Sequence, residues 1–415
     1  MTLSVVHSRY VGIVRHVDEL LAAPDDSRLR HVVAVGTATF PGTDAGGSGY
    51  ADRARTALHS ALGETVERYA AAEVPDRGVV LAAADELPDA VDPARFALFA
   101  PQQYAAADFP FAPFTPRTRI RWVRGRSLAD GRHVWLPAQL VYLPPSVPEE
   151  EPIGYSTSNG LACAESVAPA ALAALLELLE RDAFLIAWRA RLSLPLLDVA
   201  GDPKLRAFER RWLEPAGLSH EVVDLSCFHG VPTALALVRD AAGSLAVGAA
   251  AATGAGTAFR KALAEAYAAH AAARVLRGDP IPATAIERFI DHIRFYAQPE
   301  NAIRARFLTA SDERRDVRDV PELEGATAPD MLATLVLRLA TSGIDTYAVD
   351  VTTADVREAG LRVVRVIAPR LCPLDVRQDA CFLGADRLRL APAALGLRPR
   401  PLAYDELNDD PHPFP

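Results

Sequence analysis

The stretch LLELLERD, Leu175 to Asp182, decides how this chain folds. It lies inside APAALAALLELLERDAFLIAW (168–188), whose alanines and leucines occupy nearly every side at helical spacing, so the segment predicts a buried helix. Yet Glu177, Glu180 and Arg181 stand one turn apart on it. A buried carboxylate is costly unless something pairs it, so whatever neutralises this group organises the molecule around it.

Two other alanine-rich segments carry a related pattern. ARTALHSALGETVERYAAAE (54–73) bears Ser60, Glu64, Glu67 and Arg68, and RKALAEAYAAHAAARVL (260–276) bears Lys261 and Glu265. Positions i, i+3 and i+4 share one helix face, so the charged groups of each segment project together. Each helix follows a turn of small residues: GGSG at 46–49, SNG at 158–160 and GAG at 254–256. One such stripe could be an ordinary solvated ion-pair ladder. Three of them, one on a helix with no room for a solvated face, point to divalent metal and polyphosphate: magnesium takes oxygen ligands, and Arg68, Arg181 and Lys261 can contact phosphate oxygens. No P-loop GxxxxGK[ST] is present, and TGAGTAF (253–259) only superficially resembles a dinucleotide fingerprint.

The chain has 415 residues, half of them hydrophobic and 23% charged, with a net charge of −9 and no long charge runs. That excludes the clustered basic surface of a nucleic-acid binder. No signal peptide or membrane span is evident, so the cytoplasm is the expected compartment. Cys163, Cys227, Cys372 and Cys381 are scattered without zinc spacing and read as reduced thiols.

Between the helices, RYVGIVRHV (9–17) and HVVAVGTATF (31–40) read as extended, and IRWVRGRSLADGRHVWLPAQLVYLPP (120–145) as a hairpin about Ala129-Asp130-Gly131. LSHEVVDLS (218–226), VPTALALVRDAAGSLAVGAAAA (231–252), GIDTYAVDVTT (343–353) and GLRVVRVIAPRL (360–371) read as strands. Residues 77–120 look like a surface excursion, and 281–345 like a charged helical cap. The expected class is α/β (α+β), mixed sheets packed with alanine-rich helices. A catalytic domain spans 1–400, and the proline-rich tail 401–415, ending LNDDPHPFP, reaches towards its site.

The blocks SALGETVER, SNGLACAESVAPAALAALLELLERDAF and GAGTAFRKALAEAYAAH, with WVRGRSLADGRHVWLPAQLVYL and the proline-rich end, resemble the YcaO family almost end to end. The resemblance implies a YcaO fold and an enzyme that uses ATP and Mg2+ to activate peptide backbone amides. It implies metal ligation by Glu64, Glu67, Glu177, Glu180 and Glu265. It implies nucleotide contacts from these and from Ser60, Arg68, Asn159, Arg181, Lys261 and Arg15. There are departures: Ser48-Gly49-Tyr50 lacks the lysine of an SGKG loop, Lys261 stands for arginine, and Ala268 for glutamine. Lysine is a point charge and loses the bidentate geometry of arginine.

The DPHPFP end is similar to that of azoline-forming members, which implies a cyclodehydratase of thiazole/oxazole-modified peptide biosynthesis. Arg181 and Lys261 would then serve the phosphate and the Pro415 carboxylate would serve as base. The implied partners are a ribosomal precursor peptide, a leader-binding protein related to ubiquitin-activating enzymes or ThiF, a flavin-dependent azoline dehydrogenase, and a second copy in a homodimer. Thioamide or macroamidine formation and a non-catalytic scaffold are the competing readings.

Overall fold

The computed structural model describes residues 6–8, 12–37, 46–144 and 147–414. Strands β1 (Val14–Leu20), β2 (Arg30–Gly36) and β3 (Gly47–Ala51) form an antiparallel sheet in that order. Helix α1 (Ala54–Ala70) follows and buries Ala57, Ala61, Leu62 and Val66. Then come β4 (Val79–Ala82), β5 (Ile120–Ser127), β6 (His133–Pro137), β7 (Leu161–Ala164) and the long helix α2 (Val167–Arg189).

A second sheet contains β8 (Leu196–Asp198), β9 (Ser219–Asp224), β10 (Thr233–Arg239), β11 (Leu245–Ala251) and β12 (Arg314–Asp316), ordered β11-β10-β9-β8-β12. Its β8–β12 pair is parallel, and its β10–β11 hairpin lies on helix α3 (Ala255–Leu276). After helix α4 (Ala328–Thr341), β13 (Tyr347–Asp350) and β14 (Arg362–Ile367) return to the first segments, giving the order β4-β5-β13-β14-β7 with β6 beside β5. Helix α5 (Arg387–Ala394) precedes the tail. Mixed sheets packed with alanine-rich helices are what the sequence led us to expect.

Alanine and glycine set the spacing of these layers. A Cβ at Gly49 would overlap the Ala57 carbonyl oxygen, and one at Gly248 would stand 2.6 Å from that of Ala262. Strands β3 and β11 therefore lie directly on the backbones of α1 and α3, which no larger residue would permit.

Two expectations need correction. Residues 77–120 are not a surface excursion: Leu98, Phe99 and Ala100 are buried, and Phe99 packs against Tyr104, Phe109, Phe111 and Phe382. Five aromatic rings close a satellite core, and local irregularity hid it. The 281–345 segment is not simply a helical cap either, because Arg314–Asp316 leaves it to pair with β8. Among the described residues no helix is long and apolar enough to cross a membrane.

Candidate active site

Each of the three sheets exposes one edge strand to the same region: β3, β7 and β11. An edge strand carries backbone N–H groups with no ladder partner. Here the carboxylates of the three helices take them. Ser48 N–H donates to Glu64 Oε2 at 2.7 Å, and Cys163 N–H to Glu67 Oε1 at 2.7 Å. On β11, Ala251 N–H donates to Glu180 Oε2 and Ala249 N–H to Glu265 Oε2, both at 2.9 Å. Gly160 N–H, just before β7, donates to Glu177 Oε2 at 3.0 Å. Gly160 adopts φ +81°, and a Cβ there would meet the Val366 carbonyl, so the turn requires glycine.

The buried carboxylates of LLELLERD are thus held first by sheet edges, and hydrogen bonds of this charge-assisted kind stabilise by roughly 1.5–3 kcal/mol each. They are also held by Arg181. Its Nη2 lies 3.5 Å from Glu177 Oε1 and its Nε 3.3 Å from Glu180 Oε1. Burial opposes the Arg181 charge, but Glu180, Glu177 and Glu265 together hold its pKa above the ordinary value.

Arg68 on Glu64, Arg365 beside Glu177 and Lys261 near Glu265 add positive charge, yet burial outweighs it at several of these acids. Burial, helped by Glu177 and Glu64, pushes the Glu67 carboxyl up to about 8. Burial, with Glu180 adding to it, takes Glu265 to about 7. Glu177 is raised too, by burial first and then by Glu180, with Arg181 pulling it back. Glu180 Oε1 and Arg181 Nη1 are buried without a hydrogen-bond partner. Such orphans are expensive, and a metal-bound phosphate, offering a cation and anionic oxygens together, would meet both.

Beside this cluster runs a cleft of about 760 Å³. Its lining includes Thr56, His59, Ser60, Gly63, Glu64 and Glu67, a single i, i+3, i+4, i+7 stripe of α1, together with Lys261 of α3. Ser60, Glu64, Glu67 and Lys261 therefore share the cleft, while Glu177, Glu180, Arg181 and Glu265 form the buried ion cluster behind it, linked through Glu67 and Glu177. Arg68 pairs with Glu64 at 2.7 Å. Asn159 is buried, its Nδ2 3.5 Å from the Leu374 carbonyl oxygen. Arg15 is exposed on β1 and does not line the cleft. Pro415 lies outside the described residues.

Among the described residues, no three His, Cys, Asp or Glu side chains gather to hold a metal ion by themselves. In a nucleotide site, magnesium is held by one or two carboxylates together with phosphates and water.

Sequence reasoning missed three contributors. The Phe414 ring lies 4.1 Å beneath the Arg181 guanidinium and is fully buried against Phe184. Its only signal in the sequence is a single aromatic residue among the prolines of DPHPFP. Arg365 sits beside Glu177 with its guanidinium on the carbonyls of Thr157 and Leu140, and burial lowers its pKa to about 10. An arginine inside RVVRVI was the available signal. The edge-strand donors carry no signal in sequence, since any residue supplies an N–H.

A family model described as YcaO cyclodehydratase, ATP- and Mg2+-binding, matches residues 48–372. Among solved structures, a heterocyclase in complex with substrate and cofactor is 24% identical with a TM-score of 0.79, over 99% of this chain and 56% of that one. The heterocyclase TruD is 25% identical with a TM-score of 0.68, over 85% of this chain and 50% of its own. A YcaO from Methanopyrus kandleri bound with AMPPCP and Mg2+ is 22% identical with a TM-score of 0.61, over 86% of both chains. The chain thus spans about half the length of the two heterocyclases. Comparison with curated proteins gives no match.

Proposed function

Because the chain belongs to the YcaO family, we propose that it is an ATP-dependent cyclodehydratase converting Cys, Ser or Thr of a ribosomal precursor peptide to thiazoline or oxazoline. The substrate side chain attacks the preceding backbone carbonyl carbon and gives its proton to a base. The carbonyl oxygen, now an oxyanion, takes the γ-phosphoryl group of ATP and ADP departs. Loss of the amide proton and departure of phosphate then close the C=N bond. Oxygen leaves as phosphate, a far better leaving group than hydroxide.

Magnesium ions, when bound, neutralise phosphate charge, and the residues that would hold them, one or two to each ion, are Glu64, Glu67, Glu177, Glu180 and Glu265. Arg181 and Lys261 would orient phosphate oxygens, with Ser60, Arg68 and Asn159 completing the nucleotide contacts; Arg15 is exposed and outside the cleft lining. Pro415, one residue beyond Phe414, is the base we propose, through its carboxylate where the chain terminates at that residue. Residues 1–400 would form the catalytic unit, and 401–415 the tail that serves it. The observation that carries this reading is the pair of buried polar atoms left without a hydrogen bond, Glu180 Oε1 and Arg181 Nη1, inside the ion cluster.

A leader-binding partner, ubiquitin-activating-enzyme-like or ThiF-like, would deliver the peptide, and a flavin-dependent dehydrogenase would oxidise the azoline. The test incubates the chain with precursor, partner and magnesium ATP, and reads ADP and peptide mass. Loss of one water per modified residue, matched by ADP, is the expected result. Exchange of oxygen for sulfur would assign thioamide formation instead, and an unchanged precursor with no peptide-dependent ADP would assign a scaffold.

A further inference from the structure

A second cavity of about 410 Å³ lies away from the carboxylate cleft, between the turn at 226–230, helix α4 and the start of α5. His229, Gly230, Arg338, Ser342 and Arg387 line it, and no Asp or Glu does. Both arginines are held by hydrogen bonds. Arg387 grips Asp182 through Nε at 3.0 Å and Nη2 at 2.8 Å. Asp182 is fully buried and also holds His229 Nε2 at 2.8 Å and the Cys372 N–H at 2.8 Å. Arg338 spends Nη1 on the carbonyls of Gly230 at 2.7 Å and His229 at 3.2 Å.

The anchoring leaves part of each guanidinium unspent. Among the described residues, Arg387 Nη1 and Arg338 Nη2 make no hydrogen bond, and Arg338 has no carboxylate partner. Two anchored guanidiniums therefore line a ligand-sized cavity, and the one carboxylate bound to either, Asp182 on Arg387, is outside the cavity lining. Fixed planar donors of this kind recognise planar or tetrahedral oxyanions, and ordering them beforehand removes much of the entropic cost of binding. The cavity volume falls in the range of small-molecule sites.

We infer that this cavity is a binding site for an oxyanion, a phosphate or carboxylate group borne by a small molecule or a peptide side chain, held between Arg338 and Arg387. The site does not depend on the nucleotide reading, since it shares no lining residue with the carboxylate cleft.

The experiment titrates the full chain with phenyl phosphate, benzoate and neutral benzamide by calorimetry. It then repeats the titration on Arg338→Gln and on Arg387→Lys. Arg338→Gln removes a charge from the cavity lining and leaves buried Asp182 with all three of its partners, so its melting temperature should match the parent. At least one of the two anions should bind the parent, benzamide should not, and Arg338→Gln should weaken binding at least tenfold. Preference for phenyl phosphate assigns a phosphate ligand, and preference for benzoate a carboxylate. Equal binding by parent and folded Arg338→Gln, equal binding of benzamide, or binding of neither anion overturns the inference.

Discussion

Glu180 shows how a single residue serves both fold and site. Its Oε2 accepts the Ala251 N–H, while its Oε1 faces Arg181 with no hydrogen bond. Glutamine can keep the first role through its carbonyl oxygen but not the charge of the second. Glu180→Gln should therefore melt within a few degrees of the parent and lose peptide-dependent ADP release by two orders of magnitude or more, read by thermal melts beside a turnover assay. Glu67 offers a test in pH. Its carboxyl, ordinarily near 4.5, sits at about 8 in the fold. Between those values the unfolded chain ionises first while the folded chain keeps its proton, so the folded state binds more protons and stability falls as pH rises. In metal-free protein the melting temperature should decline across that window, and Glu67→Gln should flatten the decline; an equal slope in both would refute the assigned burial. The helical spacing of Ser60, Glu64, Glu67, Glu177, Glu180 and Arg181 was legible in the sequence because i, i+3 geometry is local. Their backbone partners were not, because Ser48, Cys163 and Ala251 come from separate sheets.

At the scale of elements, small residues set the geometry. Gly248 lets β11 lie on α3, and Gly248→Ala would drive a methyl into the Ala262 carbonyl. It should cost about 1–3 kcal/mol, as overpacking does, and loosen the Ala249–Glu265 bond. Gly63 is the opposite case. It lies in mid-helix on the cleft stripe, with nothing within 4 Å of where its Cβ would be. Gly63→Ala should therefore stabilise the fold by roughly 0.5–1 kcal/mol. If the nucleotide lies along this stripe, the same change raises KM for ATP while the melting temperature rises, a pairing that simple destabilisation cannot produce. The alanine-rich helices and most strands were readable from period and turn residues. The aromatic cluster around Phe99 was not, since its nearby rings sit in irregular chain and Phe382 comes from far along the sequence, nor was the β8–β12 pairing, whose strands are more than a hundred residues apart.

For the whole molecule, the tail is part of the core. Phe414 is fully buried under Arg181, and His412 stacks on His292 with ring centroids 4.0 Å apart. His292 lies 2.7 Å from the His412 carbonyl and 2.8 Å from that of Val376, two acceptors that only a doubly protonated ring satisfies together, although burial pulls its pKa down. Phe414→Ala should cost about 3–5 kcal/mol, the usual penalty for emptying a buried aromatic site. It should also lower activity beyond the stability loss, because Arg181 loses the surface beneath it; Phe414→Leu should recover stability more fully than turnover.

Three sheet edges tether one oxygen of each carboxylate, and the concentrated negative charge that results awaits magnesium and phosphate. Calorimetry with a non-hydrolysable ATP analogue and magnesium, near neutral pH in two buffers of different ionisation enthalpy, reads this directly. Binding should release protons from carboxyls such as Glu67 and Glu265, tighten as pH rises towards about 8, and vanish in Glu180→Gln. Binding without proton release, or equal binding by that variant, would contradict the account.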